Sequence, residues 1–185
     1  MKKNHLLIFS GLLLAALLTS PHAAASNWPS WRGPNGNGTS PEKNLPSEWS
    51  TTKNVAWKID LPGASGATPA IWENKIFVTS ASGKELVLLC ISTEGKVLWK
   101  KPLASGNKKI RNDEGNSAAP SPATDGKHVW TFLGTGDMHC FDMAGKKIWE
   151  KNFQKSYGSF DHWHGMSSTP LLVGDTLYQM CLQME

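Results

Sequence analysis

The chain has 185 residues, 39% hydrophobic and 18% charged, with 17 Gly, 11 Pro and 9 Trp; such a composition is globular and excludes disordered, collagen-like and coiled-coil chains. The net charge is only +4, two units of it come from Lys2 and Lys3, and Arg32 and Arg111 are the only arginines. So small a surplus, poor in planar bidentate donors, predicts no nucleic-acid partner.

The first element is an address. Lys2-Lys3, an apolar run from Leu6 to Leu18 and the small triplet Ala23-Ala24-Ala25 read as a secretory signal peptide over 1–25, cleaved before Ser26. The run is shorter than the roughly 20 residues of a spanning helix, and no later stretch could span a bilayer. No Cys comes after the run at the cleavage point, so the mature chain is expected to be exported, periplasmic or secreted, and not a lipoprotein. Residues 26–54 form a leader rich in Pro and Gly, whose Trp28 and Trp31 are expected to bury their indoles against the body of the protein.

From residue 55 onward the chain repeats itself. Cys90-Ile-Ser-Thr-Glu-Gly95-Lys-Val-Leu-Trp99 aligns without a gap on Cys140-Phe-Asp-Met-Ala-Gly145-Lys-Lys-Ile-Trp149, and Trp57 supplies an earlier Trp of the same kind. Upstream, stretches around Pro69, Pro122 and Pro170 recur, each leading into a polar turn and an apolar run. The Trp residues are roughly 40 to 50 residues apart, the period of four-stranded propeller blades.

Runs rich in Val, Ile, Phe and Trp between Gly, Asn and Asp turns predict strands, and no window has a helical period. The expected strands are 55–60, 67–71, 75–81, 85–91, 96–102, 117–124, 127–133, 137–142, 146–153, 167–173 and 175–182. Gly95 and Gly145 are expected at positive φ in hairpin turns. Each Pro is placed in a first strand, tolerable only on a sheet edge. Trp57, Trp99 and Trp149 would pack one blade against the next. Cys90 and Cys140 fall at equivalent places in neighbouring units, beyond the roughly 7 Å that a disulfide tolerates, so buried free thiols are expected.

An apolar residue, then Asp or Ser, a two-residue step, Gly-Lys and Trp: this pattern resembles the pyrroloquinoline-quinone (PQQ) type β-propeller repeat. Quinoprotein dehydrogenases and the propeller subunit of the outer-membrane β-barrel assembly machinery carry that repeat. Asn27-Trp28-Pro-Ser-Trp31-Arg32-Gly33-Pro34-Asn35 through Gly38 is similar to the leader of exported bacterial proteins of this kind. The resemblance implies an all-β fold, a propeller of four-stranded blades. The chain holds about two and a half blades, over 55–185, of the seven or eight that family members close into a ring, and so reads as the front of a longer protein.

Two interblade connections are long. One carries Arg111, Asp113, Glu114 and Asn116; the other carries Tyr157, Asp161, His162, Trp163 and His164. Loops on a rigid scaffold are where binding residues gather, so these form the candidate face for a protein or small-molecule partner. His162 and His164 are the candidate metal ligands, short of a third; Asp113, Glu114 and Asn116 are weaker oxygen ligands.

PQQ and Ca²⁺ are implied by the resemblance alone. The dehydrogenases' general-base Asp and Ca²⁺ ligands map onto no residue of 26–185, and no adjacent Cys pair of the kind many of them carry exists, so no catalytic residue and no cofactor are expected. Gly134-Thr-Gly136 joins two expected strands, which excludes a phosphate loop opening a helix, and no G-x-S-x-G occurs. The expected function is a non-catalytic binding or assembly scaffold of the cell envelope; the rival is a PQQ- and calcium-dependent quinoprotein dehydrogenase of alcohols or sugars whose catalytic residues lie in blades absent from this chain.

Overall fold

The computed structural model describes residues 26–110, 115–160 and 165–183. The signal-peptide reading of 1–25 lies outside them.

Two four-stranded antiparallel meanders dominate. The first blade is β1 (Ala70–Trp72), β2 (Lys75–Ser82), β3 (Glu85–Ser92) and β4 (Val97–Ser105), paired in that order. A two-stranded ribbon, β5 (Lys109–Ile110) and β6 (Gly115–Asn116), precedes the second blade. That blade is β7 (Ala123–Thr124), β8 (His128–Phe132), β9 (Asp137–Asp142) and β10 (Lys147–Asn152). After a short helix α1 (Phe153–Tyr157) comes a two-stranded third unit, β11 (Leu171–Val173) and β12 (Thr176–Tyr178). Two blades and half of a third are thus present, as the repeat implies.

The repeat has a local cause. Cys90 pairs across the ladder with Trp99, Cys140 pairs with Trp149, and in both blades the register slips directly beside that pair. Leu98 and Ile148 are the extra residues, and such bulges sharpen the twist of an outer strand. The Asp-or-Ser position closes the turn. Ser92 Oγ accepts the N–H groups of Glu94 and Lys96 at 3.2 and 3.3 Å, and Asp142 Oδ1 those of Ala144 and Lys146 at 2.9 and 2.8 Å. Gly95 and Gly145 both sit at φ 81°, as expected.

Several expectations need correction. Residues 55–60 form no strand, because no described strand lies beside them to complete a ladder. The segment still packs: Ile59, with Leu61 just beyond it, covers Val78, Val87, Leu89 and Ile91 on one face of blade one. The first strands of all three units are shorter than expected and begin after Pro69, Pro122 and Pro170 rather than containing them, which spares the ladder a missing donor. Residues 117–122 are not strand, and β12 ends at Tyr178. Helix α1, unexpected, has only five residues: Asn152 caps it by accepting from Lys155 N, and Gly158 ends it.

The leader closes the inner edge. Trp28 makes an antiparallel bridge with Ile71 of β1, through N–H···O bonds of 2.9 and 2.8 Å, and the Pro29 carbonyl accepts from Thr124 N of β7 at 2.9 Å. Trp28 is half-buried over Gly33, but Trp31 is 53% exposed, with the Arg32 guanidinium stacked 4.6 Å above its ring. The expected burial therefore fails for Trp31.

The core lies in the seams between units. Ala70, Phe77, Leu88 and Cys90 of blade one meet Val129 and Phe141 of blade two, with Trp99 and Leu103 at the margin. Phe132, Met138 and Met166 fill the next seam beneath Phe153, Phe160 and Leu177. Each of the fully buried rings and leucines contributes about 1.5–3 kcal/mol. Cys90 and Cys140 are buried free thiols, as expected, and Cys181 is partly buried.

Candidate functional site: the interblade loop face

One end of the molecule gathers the interblade connections and the β2–β3 turn; the β1–β2 and β3–β4 turns lie at the other. The first connection is pinned at its root. Gly106 N and Asn107 N both donate to Lys84 O, at 2.9 and 3.0 Å, and Asn107 Oδ1 accepts from Ser117 N at 3.1 Å. Lys108 N then donates to Ser117 Oγ at 3.0 Å, which starts the β5–β6 ribbon.

The second connection is fixed through α1. Phe153 N donates to Gly136 O at 2.7 Å, Gln154 Nε2 to Thr135 O at 2.8 Å, and Gln154 Oε1 accepts from Phe160 N at 2.8 Å. Phe153 meets Phe132 edge-on with centroids 5.7 Å apart, and Phe160 lies 6.1 Å from the same ring. The two connections touch. A Cβ on Gly165, which sits at φ +69°, would come within 2.1 Å of Ile110 Cδ1.

Of the sequence candidates, Arg111, Asp113, Glu114, Asp161, His162, Trp163 and His164 lie outside the described residues. They belong to the spans 111–114 and 161–164, whose roots at Ile110 and Gly165 are the residues in contact. Asn116 is described and faces inward: it is 7% exposed and its Oδ1 accepts from Ala118 N at 2.8 Å. Tyr157 is 60% exposed, and its hydroxyl accepts from Lys151 Nζ at 2.7 Å.

The repeat positions form one device. Trp57 lies over the Gly95 turn and donates its indole N–H to Thr93 O at 2.7 Å; Trp99 lies over the Gly145 turn and donates to Met143 O at 3.4 Å. Trp149 stands in the same cross-strand place, and no such turn faces it among the described residues.

Two arrangements go beyond the sequence expectations. Thr68 N donates to Ser121 Oγ at 2.8 Å, and Ser121 N donates to Thr169 Oγ1 at 3.2 Å. Each acceptor precedes a Pro, so a Ser/Thr-Pro dipeptide in all three units is the signal the sequence offers. The other is a polar cleft of about 550 Å³ between β4 and the β9–β10 pair, floored by His139. No periodicity marks a lone His inside an apolar strand.

Burial holds the thiols of Cys90 and Cys140 up at about 11, and raises that of Cys181. Cys90 and Cys140 are packing groups rather than nucleophiles. Among the described residues no three His, Cys, Asp or Glu side chains are placed to hold a metal ion, and no helix is long and apolar enough to cross a membrane.

Among solved structures, BamB from Moraxella catarrhalis is similar at 21% identity and a TM-score of 0.47, over 66% of this chain and 32% of that one. A europium-containing methanol dehydrogenase is similar at 12% and 0.45, over 62% and 20%, and the quinohemoprotein alcohol dehydrogenase ADHIIG from Pseudomonas putida HK5 at 16% and 0.44, over 65% and 17%. This chain therefore spans a third or less of each of those structures. No curated protein matches it. The family model described as outer membrane protein assembly factor BamB matches residues 44–183, across both blades and the half-blade. With its Cys–Trp rungs, Gly turns and docked indoles inside that match, the chain belongs to this family of PQQ-like β-propeller repeat proteins.

Proposed function

We propose that the chain is an exported, non-catalytic binding or assembly scaffold of the cell envelope, which presents its two interblade loops to a protein partner. The observation that carries the reading is the contact of Ile110 with Gly165, which joins two separately anchored loops into one rim. Loop roots anchored this firmly lose little entropy on binding, which is how a scaffold gains affinity without chemistry. Family membership favours a protein as the partner, and residues 1–25 would be removed on export.

Quinone chemistry fits the described residues poorly. The cysteines are isolated, Cys90 and Cys140 are wholly buried in β3 and β9, and neither is placed to stack on a ring at the loop face. His162 and His164 remain metal candidates on the second loop, a reading of lower weight than the scaffold.

The test is site-specific photo-crosslinking in an exporting host. A photoreactive residue at Tyr157 is expected to trap an envelope protein, whereas one at Lys96, at the opposite end, traps none. Equal labelling from both ends, or dye reduction that requires added PQQ and Ca²⁺, would overturn the reading. Intact mass of the exported chain, expected to begin at Ser26, checks the cleavage.

A further inference from the structure

Blade two carries an unusual rung. On adjacent strands β8, β9 and β10, Thr131, His139 and Glu150 lie side by side, and His139 and Glu150 share a cleft with β4 of blade one. His139 is 3% exposed and Thr131 fully buried, and neither His139 Nδ1 nor Thr131 Oγ1 has a partner in good hydrogen-bond geometry, although the Leu103 backbone lies close enough to favour the imidazolium. His139 Nε2 lies 3.8 Å from Glu150 Oε2, too far for a hydrogen bond.

The imidazole is also part of the seam's packing. It stacks on Phe141 with centroids 6.0 Å apart at 22°, Phe141 meets Trp99 at 6.5 Å, and Trp99 meets Phe77 at 5.8 Å. Cys90, wholly buried, packs in the same cluster. Beside the ring lies the cleft of about 550 Å³, walled by Leu103, Ala104 and Ser105 of β4 and by Asp137, Glu150 and Lys155. An ionised ring has somewhere to go.

We propose that His139 is a proton-sensitive latch on the seam between the first two blades: neutral, it completes the aromatic stack, and protonated, it turns toward the cleft and Glu150 and lets solvent into the seam. Every element around it bears on the charge. Burial disfavours the imidazolium most and takes the pKa below 6.5; Asp137 on its own strand, Glu150 on β10 and the Leu103 backbone on β4 oppose that, and Lys147 adds to it. Lys151 and Lys155 line the outer wall of the cleft, and β4 offers no ionisable side chain there. An opened ring takes up a proton near 6.5, a closed one only at lower pH, so the seam is firm above about 6.5 and weakens as pH falls below it.

The experiment uses Cys90 as the reporter. The purified chain is treated with 4,4′-dithiodipyridine, which reacts with thiols at acid and neutral pH, and modification of the Cys90 peptide is timed by mass mapping between pH 7.5 and 5. In the parent chain the rate is expected to rise about tenfold on acidification while circular dichroism shows the sheet retained. In His139→Gln the rise is expected to vanish. Glu150 lies at the exposed rim and raises the ring's pKa, so Glu150→Gln is expected to move the midpoint to lower pH, which keeps a test in hand if His139→Gln fails to fold. A profile unchanged in His139→Gln, or a midpoint that Glu150→Gln leaves in place or moves upward, would overturn the proposal.

Discussion

Trp99 lies across Gly145 so closely that a Cβ there would come within 2.9 Å of the indole, and Trp57 covers Gly95 in the same way at 2.7 Å. The outer strand of blade one is thereby locked to the β9–β10 turn of blade two, and the non-strand segment around Trp57 to the β3–β4 turn of blade one. The side chain that glycine lacks is the space the tryptophan occupies.

Substitution at that contact is therefore costly. Gly145→Ala and Gly95→Ala combine left-handed backbone with a clash against an aromatic plate, and each is expected to destabilise by about 2–4 kcal/mol. Gly83→Ala is the control: its φ is +61° but nothing lies near its absent Cβ, so about 1–2 kcal/mol is expected. Urea midpoints of the three variants, compared at constant slope, would check the ordering.

The Thr68–Ser121–Thr169 relay makes a second prediction. Ser121→Ala removes the acceptor of Thr68 N–H at a residue only 3% exposed, and is expected to cost about 1–3 kcal/mol. Ser121→Thr retains the oxygen and is expected to lose less. Thermal unfolding monitored by near-UV circular dichroism would separate the two.

The thiols can be ranked. With Cys90 and Cys140 held near 11 by burial and Cys181 only partly buried, Cys181 is expected to react first with a disulfide reagent at pH 8. In the folded chain the other two lag by at least about tenfold, and in 6 M guanidinium all three react alike. Timed mass mapping of the three peptides reads this directly. Equal folded-state rates would contradict the seam packing.

Asp125 sets an acid limit. Burial works against its ionisation, but the N–H groups of His128 and Lys127, at 2.6 and 2.8 Å, more than offset it and hold the carboxyl below its usual 3.8. The stability it adds is present above about pH 4 and is lost as pH falls through the lowered value. Asp125→Ala is expected to cost about 1 kcal/mol at pH 7 and less at pH 2.5. Stability measured at both values tests that convergence.

The blades are legible in the sequence because each repeat feature is a local rule. Gly at a positive-φ turn, Ser or Asp closing that turn, and Cys opposite Trp all act within ten residues or so, and the structure reproduces them in both blades. The span 55–60 misleads for the opposite reason: its apolar pattern is that of a strand, but a strand exists only beside a partner. Helix α1 is held by Gln154 and Phe153 on a turn from an earlier hairpin, a contact no helical period announces. His139 carries no sequence signal because its significance lies in what faces it across a seam.

The leader's position has a consequence for the order of folding. Pro29 is bonded to Thr124, roughly a hundred residues later in the chain, so the leader cannot seat until the second blade has begun to form. Contacts of such long sequence separation form late and slow a chain's folding. Until then, Trp28 and the bare inner strands of both blades stay open together. Once Trp28 has bridged Ile71 and Pro29 has met Thr124, the same segment becomes the clasp that keeps the first two blades from parting.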